Sequence, residues 1–180
     1  MQGKIIFITG GARSGKSSFA LKAGSGVKGP KAYIATAEAL DDEMRERIEK
    51  HKVDRGDDWD TFEVPMRIAD TLSEIKEKYG VVLVDCLTLW LSNIMHPKQN
   101  TEDEIIKLVD ELLNFKNSSH ATYHASQLFI VSNEVGMGIV PDSSLAREFR
   151  DLAGSLNQKI AALADEVYMV AAGIPIQIKK

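Results

Sequence analysis

Apolar residues in this chain come either in short unbroken runs or in longer stretches where they recur every three or four positions. KIIFIT (4 to 9), KAYIAT (31 to 36), GVVLVD (80 to 85), QLFIVS (127 to 132) and EVYMVA (166 to 171) are runs of the first kind and predict β-strands. Their apolar positions are continuous rather than alternating, so both faces of each strand should be covered. The segments between them have helical spacing and length. Strand and helix in alternation predict an α/β fold with a mostly parallel sheet covered by helices. Two segments fall outside the alternation: the turn-rich NEVGMGIVPDSS (133 to 144), and the tail GIPIQIKK (173 to 180), which is expected to form an antiparallel edge strand. No repeat, low-complexity tract or linker divides the chain, so one domain is expected over residues 1–180.

Composition narrows the function classes without choosing among them. With 44% hydrophobic and 27% charged residues, the chain has the balance of an ordinary globular protein. The formal charge is only −4, and the basic residues form no stripe, so nucleic acid is not an expected partner. The single cysteine, Cys86, has no intramolecular disulfide partner. The longest apolar stretch, VVLVDCLTLWL, is interrupted by Asp85 and has about half the length of a membrane span. With no signal-like segment at the N-terminus, the expected location is cytoplasmic.

The strongest chemical signal is ITGGARSGKSS. Gly10, four intervening residues (Gly11, Ala12, Arg13, Ser14), then Gly15, Lys16 and Ser17 match the phosphate-binding P-loop, after a predicted strand and at the start of a predicted helix. Glycines let backbone N–H groups turn inward around phosphates, and the helix N-terminus adds its positive end. Lys16 can reach the β and γ phosphates, and Ser17 can ligate Mg2+. The expected fold is therefore P-loop NTPase-like. Asp85 closes the run VVLVD, where a carboxylate either holds hydrated magnesium from the opposite side or serves as a strand-end cap.

Charge is densest in DDEMRERIEKHKVDRG (41 to 56), where nine of the first twelve residues are charged. On a helix beginning near Asp41, Met44, Ile48 and His51 share one face and most charges point elsewhere. Glu43 with Arg47 and Glu46 with Lys50 have the spacing of i,i+4 ion pairs. His51 thus ends the inner stripe, where it is either a helix-end histidine, favoured by the helix dipole, or a functional group. Glu63, in DTFEVP, reads from its surroundings as an exposed loop carboxylate.

Taken together, TGGARSGKS, YIATAEALDDEMRERIEKHKVDRG, NEVGMGIVP and REFRDLAGSLNQKIAALADEVYMVAAGIPIQIK resemble the adenosylcobinamide kinase / adenosylcobinamide-phosphate guanylyltransferase family of cobalamin biosynthesis. The blocks occur in the family's order over nearly the whole chain. Some relatives carry two adjacent histidines where this chain has Lys50 and His51. The resemblance implies a bifunctional enzyme. It would phosphorylate the aminopropanol hydroxyl of adenosylcobinamide with ATP or GTP, then transfer GMP from GTP to that phosphate, giving adenosylcobinamide-GDP and pyrophosphate. It further implies a covalent GMP intermediate on His51, and nucleotide contacts at Gly10 to Ser17, at Ile34, Ala35 and Thr36, at Lys52, Val53, Asp54 and Arg55, and at Glu63 and Asp85. A homotrimer with sites near subunit boundaries is also implied.

Chemistry is compatible with those assignments. A neutral imidazole is a competent nucleophile, and a phosphoramidate is labile enough to pass GMP onward. Lys16 and magnesium would stabilise charge developing on the phosphates. Glu63 would select guanine by accepting its N–H donors. For the kinase step no base for the acceptor hydroxyl is evident, and Asp85 is a candidate for assisting it. Met137, between Gly136 and Gly138, would give an adaptable apolar contact in a loop over the corrinoid. Arg147 and Arg150 either hold phosphate or line a solvated face. His96, His120 and His124 are expected at the surface. Two other classes remain open: a P-loop kinase for another small molecule, with His51 structural, and a nucleotide-dependent switch protein.

Overall fold

A computed structural model of the chain describes residues 3–95, 100–117 and 127–180. His96, His120 and His124 lie outside the described residues. Among the described residues, seven strands form one sheet: β1 (Lys4–Thr9), β2 (Lys31–Ala35), β3 (Trp59–Glu63), β4 (Val81–Asp85), β5 (Gln127–Val131), β6 (Glu166–Ala171) and β7 (Ile174–Lys179). Their spatial order is β3-β2-β4-β5-β1-β6-β7, and every pairing is parallel except β6 with β7. The helices are α1 (Lys16–Ser25), α2 (Asp42–Arg55), α3 (Ile68–Ile75), α4 (Leu87–Met95), α5 (Thr101–Asn117) and α6 (Ser144–Leu163).

The unbroken apolar runs become the strands covered on both faces. One core cluster joins Ile5, Phe7, Val82, Val84, Leu128 and Ile130 to buried side chains of α3, α4, α5 and α6. The other joins Ile6, Ile8, Leu83, Phe129 and Val131 to Ala20 of α1. The buried residues recur at helical spacing: α3 buries Ile68, Leu72 and Ile75, and α5 buries Ile105, Leu108, Leu112 and Phe115. Close approach of α1 to the sheet requires Gly24, because a Cβ there would sit 2.7 Å from the Trp59 ring.

The five expected strands form, three of them one residue shorter than the apolar run. The tail pairs antiparallel with β6, as expected, and leaves Ile174, Ile176 and Ile178 exposed. Residues 133–143, from the turn-rich segment, are irregular, and Ser143 caps α6 by accepting from Ala146 N. Strand β3 was not expected. Its sequence, WDTFE, buries only Trp59, so it carries no apolar run, and it becomes a strand by pairing with β2 along the sheet edge. Glu63 therefore ends a strand rather than standing in a loop.

Candidate functional site

Parallel strands all end on one side of the sheet, and the predicted motifs converge there. Beyond β1, the P-loop turns on Gly10 (φ 148°) and Gly15 (φ 97°). A Cβ on Gly10 would lie 2.3 Å from the carbonyl oxygen of Val170, so only glycine fits. The β6–β7 hairpin supports the loop from below, with Gly173 N donating to Ser14 O over 2.9 Å. Lys16 is buried, and its Nζ donates to Gly11 O at 2.6 Å, folding the ammonium over the loop. Burial lowers the Lys16 pKa, opposed by the nearby Cys86 and Asp85. The Ser14 hydroxyl is buried with no partner among the described residues, which suits a loop built to receive acceptor oxygens.

Asp85 ends β4 in register with Ala35 of β2 and Val131 of β5. One of its oxygens, Oδ2, accepts a 2.8 Å hydrogen bond from the Tyr33 hydroxyl. Burial, reinforced by Asp85, holds the Tyr33 pKa well above its ordinary value, so the phenol keeps its proton and remains a donor. The guanidinium of Arg55, from the last turn of α2, sits 4.1 Å over the Tyr33 ring. Arg55, Tyr33 and Asp85 therefore connect α2 to the sheet end.

Helix α2 starts where the charge pattern predicts, with Asp41 Oδ1 accepting from Met44 N at 2.7 Å. No residue of α2 is fully buried; Met44, Ile48, His51 and Arg55 are half-buried and the rest are exposed. The expected inner stripe is thus present and runs one turn further, to Arg55. The ion pairs differ from those expected. Arg45 pairs with Asp42 at 2.6 Å and Lys52 with Glu49 at 3.2 Å, both at i,i+3, while Glu43 turns to Arg13 of the P-loop at 3.7 Å. Exposed pairs at either spacing differ by no more than about 1 kcal/mol, so a cross-element partner can redirect them.

Between α2 and the sheet end lies a cleft of ≈ 470 Å³. His51, Ser17, Asp85, Ala35, Lys52, Arg55 and Glu63 all line it. Other expected nucleotide contacts sit elsewhere. Ile34 is wholly in the core, and Thr36 is buried, its Oγ1 accepting from Cys86 N and donating to Cys86 O, each at 2.8 Å. Val53 points to solvent, and Asp54 lines a smaller cavity against α1 with Lys22. Lys52 Nζ lies 3.2 Å from both Glu63 and Glu49, and these hydrogen bonds raise its pKa. Cys86 also lines the cleft, yet burial pushes its thiol up to about 11, so it stays protonated near neutral pH. Arg147 donates to Pro141 O and Asp142 O, at 2.9 and 2.7 Å, and Arg150 pairs with Asp151.

The donor set suits magnesium. Ser17 and Asp85 offer hard oxygens to the cleft, the donor type magnesium takes, and two such protein ligands suffice for an ion that keeps several waters. Sequence reading missed Tyr33, which stands two residues before the end of β2 and looked like one more strand residue. Its alternation with Ala35 is visible in the sequence, but the neighbour it reaches depends on β2 lying beside β4.

The family model described as cobinamide kinase / cobinamide phosphate guanyltransferase matches residues 6–178. The bifunctional adenosylcobalamin biosynthesis protein CobU of Escherichia coli K12 is 39% identical over 97% of this chain and 99% of its own. CobU of Salmonella typhimurium LT2 is 38% identical over the same shares, and CobP of Pseudomonas aeruginosa PAO1 is 39% identical over 96% and 95%. Among solved structures, an ATPase of the type III secretion system of pathogenic bacteria superposes with a TM-score of 0.59 at 13% identity, covering 93% of this chain and 51% of that one. A Pyrococcus horikoshii OT3 protein gives 0.55 at 10% identity, covering 99% and 87%. These two likenesses concern the fold alone. By its sequence over nearly its full length, the chain belongs to the cobinamide kinase / cobinamide phosphate guanyltransferase family.

Proposed function

We propose that this protein is a bifunctional enzyme of adenosylcobalamin biosynthesis that first phosphorylates adenosylcobinamide with ATP or GTP and then guanylylates the product. The observation that carries this reading is the presence of His51 in one cleft with Ser17 of the P-loop and with Asp85. A kinase alone needs the last two; a nucleophile facing them adds the second transfer.

In the guanylyl step, His51 attacks the α-phosphorus of GTP, the bond to the bridging oxygen breaks, and pyrophosphate leaves with the electron pair. The cobinamide phosphate oxygen then attacks the same phosphorus and releases the imidazole. Lys16 balances charge on the β and γ phosphates in both half-reactions. Ser17 and Asp85 would hold Mg2+, which when bound supplies further positive charge at the phosphates. Glu63 accepts the guanine N–H donors once Lys52 yields its side of the carboxylate. Ala35, Lys52 and Arg55 line the nucleotide's path, and Ile34 and Thr36, whose backbone groups are engaged with neighbouring strands, Asp85 and Asn93, support that wall from behind. The exposed Ile174, Ile176 and Ile178 of β7 support assembly with further copies, in keeping with a homotrimer. We assign this chemistry to the cytoplasm, where the nucleoside triphosphates are.

Purified protein incubated with adenosylcobinamide, GTP and magnesium should yield the phosphate and then adenosylcobinamide-GDP, resolved by chromatography and mass. Phosphate formation with no GDP product would reduce the protein to a kinase. Absence of both products would overturn the reading.

A further inference from the structure

Strand β5 lies between the P-loop strand β1 and the Asp85 strand β4, so whatever follows β5 emerges between the phosphate site and that carboxylate. Three residues past its end is Glu134. The parallel ladder continues beyond β5, with Ser132 N donating to Ile8 O at 3.0 Å and Glu134 N to Gly10 O at 2.9 Å. Glu134 is therefore bonded through its backbone to the first glycine of the P-loop.

Its position is fixed from other directions as well. Asn133 N donates to Thr88 Oγ1 at 2.6 Å, Thr88 and Ser132 share a 3.2 Å hydroxyl contact, and Asn157 Nδ2 from α6 donates to Asn133 O at 3.1 Å. Thr88, Ser132 and Asn157 are all buried. Such a network holds backbone in one geometry, which is what a group acting on a bound substrate requires. Glu134 is half-buried as a residue, and its carboxylate accepts from Gly136 N through Oε1, at 2.7 Å, in a solvent-exposed hydrogen bond. Among the described residues Oε2 has no hydrogen-bond partner. The loop that follows exposes Met137, Ile139 and Val140, an apolar surface beside the carboxylate suited to a large, partly apolar acceptor.

We propose that Glu134 is the general base of the kinase half-reaction, an inference that rests on the kinase reading above. Its carboxylate takes the proton of the acceptor hydroxyl as that oxygen bonds to the γ-phosphorus. The bond from the γ-phosphorus to the β,γ-bridging oxygen breaks, and the nucleoside diphosphate leaves with the electron pair. The proton then passes from Glu134 to solvent. Asp85 is left to the metal and to Tyr33, and His51 is reserved for the guanylyl step. Glu134 is unassigned by the motif reading because its relation to the P-loop depends on sheet order.

Glu134→Gln decides the matter, since glutamine keeps the side chain's shape and an oxygen for Gly136 N while losing the charge and the basicity. Phosphate transfer from γ-labelled ATP to adenosylcobinamide should fall by about 100-fold or more. Affinity for a fluorescent GTP analogue, and the rate of protein labelling by α-labelled GTP, should each stay within about threefold of the parent protein. Full transfer by Glu134→Gln, with loss only in Glu134→Ala, would make Glu134 a loop-positioning residue and overturn the proposal. A parallel loss of nucleotide affinity would overturn it too. A wild-type protein that phosphorylates no cobinamide would instead overturn the kinase reading beneath it.

Discussion

Helices α1 and α2 each follow a parallel strand and border the same nucleotide end of the sheet, yet they are built on opposite terms. α1 buries Lys16, Ala20 and Gly24 against the sheet, while α2 buries nothing completely and holds on through half-buried Met44, Ile48, His51 and Arg55. The phosphate wall is continuous with the hydrophobic core; the histidine wall is capped by Asp41 and leans on Tyr33 through Arg55. Few buried apolar contacts mean a low free energy of local opening. On the proposed function, this division suits an enzyme whose nucleotide stays in one P-loop while the point of attack changes from the γ to the α phosphorus, with α2 the wall that would shift toward the α-phosphate.

Truncation on each side should expose the contrast most strongly. Phe7→Ala, in β1 beneath the P-loop, should lose about 3–5 kcal/mol in urea unfolding, as for a buried phenylalanine. Ile48→Ala, on α2, should lose about 1 kcal/mol or less. Equal losses would mean that α2 belongs to the core after all.

Much of the rigid side is legible in the sequence. Unbroken runs such as KIIFIT and VVLVD report two-sided burial directly, and the P-loop reports its own local geometry. The face of α2 is also readable, because periodicity alone places Met44, Ile48 and His51 together. What is not legible depends on sheet order. β3 has one buried residue, Trp59, and exists through its pairing with β2. Tyr33 meets Asp85, and Glu134 meets Gly10, because strands distant in sequence become neighbours. The partner chosen by Glu43 escapes prediction for a similar reason: Arg13 comes within reach only after the P-loop and α2 face each other.

The edge strand offers a finer test. Glu63 is exposed and shares Lys52 with Glu49, so Glu63→Ala should leave the fold intact. Losing charge-assisted hydrogen bonds worth about 1.5–3 kcal/mol should reduce the preference for GTP over ATP in protein labelling by roughly 10- to 150-fold. An unchanged preference would remove Glu63 from base selection.

Tyr33, where the two walls meet, allows the smallest and most selective perturbation. Tyr33→Phe deletes the hydrogen bond to Asp85 but keeps a ring under Arg55. The magnesium concentration needed for half-maximal binding of a fluorescent GTP analogue should rise by about fivefold, corresponding to a net hydrogen bond of about 1 kcal/mol. Amide exchange in the last turn of α2 should not change. Faster exchange there, with unaltered magnesium dependence, would show that the hydroxyl anchors the helix rather than orienting the carboxylate.

The division of labour between the two walls is tested most directly by labelling wild-type and His51→Ala proteins with α-labelled GTP and magnesium, alongside phosphate transfer from γ-labelled ATP to adenosylcobinamide. The expected result is an acid-labile adduct mapped to His51 by mass spectrometry, absent in His51→Ala, with phosphate transfer within about threefold of wild type. An adduct that persists in the variant, or phosphate transfer lost together with it, would contradict the assignment of His51 to guanylyl transfer alone.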